Sequence, residues 1–115
     1  MTIYRQGAVV LLPFPFTDLT TAKQRPALIP SAEAFNVRQR DVVVLAITSQ
    51  IPPAPNPEDY RLSSVDLRTA GLPKPSIVKC GKLLTIDQRL IRKALGQLPP
   101  SAVQEIKQRV SAILS

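Results

Sequence analysis

Residues 41–50 read DVVVLAITSQ. From Val42 to Ile47 the run is apolar without a break, rich in β-branched side chains, and closed by the polar trio Thr48, Ser49 and Gln50. A half-exposed strand would alternate apolar and polar residues; this one does not, which predicts a strand covered on both faces. β-Branching favours the pleated backbone over a helix. The run therefore marks the central strand of a sheet.

Twelve prolines punctuate the chain on either side of it. They fall in groups: Pro13/Pro15, Pro26/Pro30, Pro52/Pro53/Pro55/Pro57, Pro73/Pro75 and Pro99/Pro100. Proline lacks a ladder donor and pushes its predecessor to extended backbone, so these groups predict strand ends and turns. Between them lie further short strands, at Ala8–Leu12, Ala27–Ile29, Ser76–Lys79 and Ala94–Leu98. Short helical turns are expected at Ser31–Phe35 and Asp87–Ile91, the second capped by Asp87. After Pro99-Pro100, the stretch Ser101 to Leu114 places Val103, Ile106, Val110, Ile113 and Leu114 on one helical face. Ser101 with Gln104 can form a capping box at its start, the alternative being an earlier start at Pro100. Thr17–Gln24 and the proline-rich Ile51–Leu62 have no periodicity and read as loops. The pattern predicts a mainly β fold, a small curled sheet or barrel with a C-terminal helix, forming a single domain over 1–115.

The chain has 115 residues, 15 Lys+Arg against 8 Asp+Glu, and no histidine. Without histidine there is no Ser-His-Asp triad, no His-based phosphodiester cleavage and no His-ligated zinc. One cysteine, Cys80, cannot close an internal disulfide and suits a reducing compartment. With no apolar stretch long enough for a signal peptide or a membrane span, the expected location is the cytoplasm. The charge is uneven. Residues 1–60 are balanced, whereas residues 74–93 carry Lys74, Lys79, Lys82, Arg89, Arg92 and Lys93 against Asp87 alone, a net of +5. Such concentration is the electrostatic footprint of a polyanion binder.

Two positions stand out for chemistry. Arg25, ahead of Pro26 at a strand start, presents a planar guanidinium fork that matches two phosphate oxygens; a plain surface arginine, or one paired with Asp18, is the alternative. Thr48, Ser49 and Gln50 at the mouth of the sheet can donate to phosphate or to base edges, or simply close the strand through local backbone bonds. Asp18, Asp41, Asp66 and Asp87 adjoin turns, where capping is their commoner task. Cys80 reads as a small core residue.

Three stretches together resemble a known family: GAVVLLPFPFTDLT…KQRPALIPS, then AFN followed by VVVLAITSQ, then GLPKPSIVKCGKLLTIDQRLIRKALGQL. Their order and spacing are similar to those of the MazF/PemK toxin endoribonucleases of type II toxin–antitoxin systems. The resemblance implies an SH3-like twisted antiparallel barrel of the plasmid-maintenance toxin (MazF/Kid/CcdB) type, acting as a homodimer. It also implies cleavage of single-stranded RNA at short motifs, with no metal or other cofactor. A cognate acidic antitoxin would neutralise the activity by occupying the RNA groove.

The family's arginine of the RP motif and threonine of the ITS strand fall on Arg25 and Thr48, which makes these the expected catalytic pair. Lys23, Lys74, Lys79 and Lys82 are assigned to the RNA backbone, and Ser49 and Gln50 to the bases. Some relatives carry an aspartate after the VRC-type segment and a histidine before the RP motif; here the first position is Gly81 and the second has no counterpart. Leu83, Leu84 and Ile91 are the candidate dimer contacts. Two alternatives share the fold: a CcdB-like gyrase-poisoning toxin and a non-catalytic nucleic-acid-binding module. The C-terminal VSAILS lacks the aromatic and acidic end on which the former relies.

Overall fold

Asp41–Thr48 runs through the interior of one six-stranded sheet in a computed structural model that describes residues 3–13 and 23–115. The loop expected at Thr17–Gln24, except Lys23 and Gln24, lies outside the described residues, as does Asp18. In chain order the elements are β1 (Ala8–Pro13), β2 (Gln24–Leu28), α1 (Glu33–Arg38), β3 (Asp41–Thr48), β4 (Tyr60–Arg61), α2 (Ser64–Ala70), β5 (Ile77–Asp87), a 3₁₀ turn (Gln88–Leu90), β6 (Lys93–Gln97) and α3 (Pro100–Ile113). The strand order is β4-β5-β3-β2-β1-β6, with every pairing antiparallel.

The sheet has a core on each face. On one side Val9, Leu28, Leu45, Ile47, Val78 and Cys80 meet Ala102, Val103 and Ile106 of α3. On the other, Val10, Leu12, Ala27, Val42, Val44 and Ala46 form a second cluster, joined by Leu84, Ile91 and Tyr4. This two-sided burial is why the 42–47 run needs no polar alternation. Leu84 and Ile91, expected at a dimer contact, thus pack against the second core, and only Leu83 is exposed.

Several local expectations are corrected. β5 extends to Asp87, far beyond Lys79, because a bulge absorbs the interruption at Gly81. Leu45 pairs with Leu83 and Ala46 with Lys79, so Cys80, Gly81 and Lys82 have no opposite number on β3. Pro26 lies inside β2 opposite Leu11, and the β2–β3 pairing starts one residue later at Ala27, as befits a nitrogen with no hydrogen to donate. β4 falls within the segment expected to be a plain loop. α1 starts at Glu33, two residues later than the expected turn. α3 takes the earlier of its two expected starts, at Pro100 after Pro99 as N-cap with no side-chain cap, so the Ser101 box does not form. Its apolar face is only half covered: Val103 and Ile106 are buried, whereas Ile113 and Leu114 are exposed.

α2 was not anticipated. Ser63 accepts from the Asp66 backbone N–H and Asp66 Oδ2 accepts from the Ser63 N–H, a reciprocal cap. Gly71 ends the helix at φ 72°, a left-handed conformation that suits glycine. Asp66 also accepts from the Tyr60 hydroxyl at 3.0 Å, tying the helix to β4. At its far end α2 lies against β6, the edge strand of the sheet. Among the described residues no helix is long and apolar enough to cross a membrane.

Candidate active site

Ladder register fixes the candidate residues relative to one another. Ala27 pairs with Ala46 and Leu28 with Leu45. Carried two residues further, the same register sets Arg25 of β2 opposite Thr48 of β3. Alternate residues of a strand share a face, so both side chains emerge on the side of Ala27 and Ala46. Arg25 is half-buried, with its Nε out of contact with solvent, and Thr48 is half-buried beside it. Burial of this kind gives a charged fork a lower local dielectric and hence a stronger pull on an incoming anion.

The same row continues through β5 and β4. Thr48 pairs with Ile77, and Ile77 with Arg61. Lys79, opposite Ala46, is the diagonal neighbour of Thr48 on this face, at a spacing of about 7–8 Å that a lysine chain spans. On the other flank Leu12 pairs with Arg25, Leu11 pairs with Lys93, and the Arg92 N–H donates to the Leu11 carbonyl at 2.8 Å. Lys23 is exposed two residues before Arg25. Lys74 is exposed just ahead of β5, in a turn where Ser76 Oγ donates to its carbonyl. Ser49 and Gln50 are exposed directly after Thr48, and the Gln50 N–H donates to Thr48 Oγ1 at 3.1 Å. Lys82 lies in the bulge of β5, half-buried.

Two basic residues behave differently from the sequence expectation. Lys79 Nζ sits 3.1 Å from Asp59 Oδ2, and the lysine side chain is only 19% exposed. Its charge is met within the chain rather than offered outward. Arg89 forks onto Asp87 at 2.9 and 3.1 Å, at the end of β5 remote from Thr48. That arginine holds the Asp87 carboxyl below the usual carboxylate range. Asp87 also accepts from the Arg89 N–H, so it caps the 3₁₀ turn as expected. Arg61 and Asp59 are the neighbours that sequence reading missed. A two-residue strand has no periodicity, and a contact spanning 20 positions leaves no local mark.

Cys80 is buried in the first core, and burial, aided by the charge of Asp59, pushes its thiol up to about 11. A protonated buried thiol is a core residue, not a nucleophile. Among the described residues no group of three or more acidic or cysteine side chains is placed to hold a metal ion.

The site therefore joins a half-buried guanidinium, a facing hydroxyl and a basic rim. Residues 5–114 match the family model described as PemK-like, MazF-like toxin of type II toxin–antitoxin system. The chain belongs to that family. A curated relative, endoribonuclease MazF6 of Mycobacterium tuberculosis, is 27% identical over 94 residues, covering 81% of this chain and 80% of its own. The MazF-like fold agrees with solved structures. MazF of Deinococcus radiodurans superposes with a TM-score of 0.78 at 21% identity, over 99% of this chain and 98% of that one. A mycobacterial endoribonuclease in complex with its cognate antitoxin gives 0.75 at 22% identity, over 96% and 94%. The expected mainly β, curled antiparallel sheet with a C-terminal helix is the MazF architecture.

Proposed function

We infer that this chain is a MazF-type toxin endoribonuclease that cuts single-stranded RNA without a metal, at short sequence motifs. The observation that carries the reading is the register that sets Arg25 across from Thr48 on one face, within a basic rim. The reaction it suits is internal transesterification. The ribose 2′-oxygen bonds to the adjacent phosphorus as its proton departs, and the bond from phosphorus to the 5′-oxygen breaks with protonation of that oxygen. The products are a cyclic phosphate and a free 5′-hydroxyl. Arg25 stabilises the extra negative charge of the pentavalent phosphorane through its fork, and Thr48 donates to a non-bridging oxygen. DNA lacks the nucleophile and is not cut.

Lys23, Lys74 and Lys82 track the phosphate backbone, with Arg61 and Arg92 extending the rim, and Ser49 and Gln50 address the bases. In the cytoplasm, cleavage of messenger RNA stops translation and growth. A cognate antitoxin with an acidic segment competes for the same rim, since opposite charge steers it there. The active form is a homodimer, to which the exposed Leu83 and the uncovered last turn of α3 contribute apolar surface.

The test is purified protein, a long unstructured RNA and excess EDTA. Fragments with cyclic phosphate ends at a limited set of motifs support the reading. Binding without cutting would instead make the chain a non-catalytic RNA-binding module.

A further inference from the structure

Among the described residues, Asp59 and Lys79 form the one ion pair with both partners largely out of solvent: their side chains are 2% and 19% exposed. Pairs of this kind add little net stability, because lost hydration offsets their attraction; what they supply is position. Asp59 closes a segment, residues 51–59, that contains Pro52, Pro53, Pro55 and Pro57 and begins three residues after Thr48. Four fixed φ angles make the segment stiff, so its placement is governed by how its ends are tied. One end is β3 itself. At the other, the Asp59 N–H donates to the Asn56 carbonyl at 3.0 Å, and Arg109 of α3 donates to the carbonyls of Asp59 and Pro57. Lys79 holds the Asp59 carboxylate from β5, diagonally beside Thr48 on the face of Arg25.

We propose that the Lys79–Asp59 pair is a latch that sets the 51–59 segment as one wall of the RNA groove, so that Asp59 positions the surface that selects bases flanking the cut. This rests on the endoribonuclease reading above. Pro53 and Asn56 are exposed along that wall and Gln50 just before it, and together they offer amide groups to base edges and a flat apolar ring for stacking. Because the Lys79 ammonium is already paired, it contributes no phosphate contact.

The test compares the full chain with Asp59→Asn and with the double variant Asp59→Asn/Lys79→Gln. The latter leaves no lone buried charge and keeps the proposal testable if the single variant fails to fold. Three quantities are read: cleavage-site preference on a long RNA, salt dependence of binding to a 2′-O-methyl oligonucleotide, and hydrogen exchange at the Asp59 amide. The double variant should shift its preference between primary and secondary motifs by about tenfold, the size one displaced contact carries in selectivity. Its Asp59 amide should exchange about tenfold faster as the loop end opens, with the salt slope unchanged. Unaltered motif preference overturns the proposal. So does a salt slope reduced by about one, which would make Lys79 a phosphate ligand. If the unmodified chain cuts no RNA, the endoribonuclease reading fails on its own; amide exchange then decides whether the latch stands or falls.

Discussion

Gly96 of β6 lies so close to the C-terminus of α2 that no side chain fits between them. A Cβ on it would stand 2.3 Å from the Thr69 carbonyl oxygen and 2.8 Å from that of Ala70. Both obstacles are backbone, which cannot rotate aside. Gly96→Ala therefore forces α2 off the edge strand, at a cost of about 1–3 kcal/mol, or ~4 °C in Tm per kcal/mol. Thermal unfolding followed by circular dichroism checks it. An unchanged Tm would mean that α2 is not seated on β6.

Arg25 and Thr48 carry the chemistry in the proposed mechanism, and neither belongs to a core cluster. Arg25→Ala and Thr48→Ala should each lower the RNA cleavage rate by about 10²–10³, the span for losing one preorganised donor to a developing oxyanion. Their unfolding midpoints should stay close to the parent's. Full activity in both variants would remove the assignment.

In the proposed function Lys74 and Lys82 serve affinity, not selection. Replacing both with Gln should weaken binding to all RNA sequences alike and reduce the slope of log affinity against log salt by about two. Filter binding at several salt concentrations measures this. An altered cleavage motif would contradict a backbone role.

Alkaline pH should destabilise the fold through Cys80. Its folded thiol, pushed up to about 11, keeps its proton after the unfolded chain's thiol has lost one, so stability is whole below the ordinary thiol value and declines as pH rises toward the folded value. Tyr60, also raised, chiefly by burial and then by its bond to Asp66, acts in the same direction. Between about pH 8 and pH 10 the fall in urea midpoint should be smaller for Cys80→Ala than for the parent. An equal fall would show that the thiol plays no part.

Features carried by long or unbroken patterns were legible in the sequence. The Val42–Ile47 run announced an interior strand, and the spacing of Val103 and Ile106 announced a helix facing the sheet; both hold. α2 was missed because seven residues show little periodicity, although Ser63, Asp66 and Gly71 were its written punctuation. The length of β5 was hidden by the bulge at Gly81, where period-two reasoning breaks. The partner of Lys79 was out of reach for another reason: a charge seen in sequence says nothing of the carboxylate that folding brings to it. Arg25 and Thr48 were singled out from opposite ends of two strands, but only register shows them to be neighbours.

That neighbourhood has a consequence for control. β2 and β3 are adjacent inside the sheet, and the Ala27–Ala46 pair anchors the strand ends that carry Arg25 and Thr48. Separating these two strands would mean breaking the interior of the sheet. If Arg25 and Thr48 are the catalytic pair, an inhibitor is expected to act by standing in the mouth of the site rather than by bending it. On the proposed reading the off-switch is a plug rather than a lever, and its removal would leave nothing to refold.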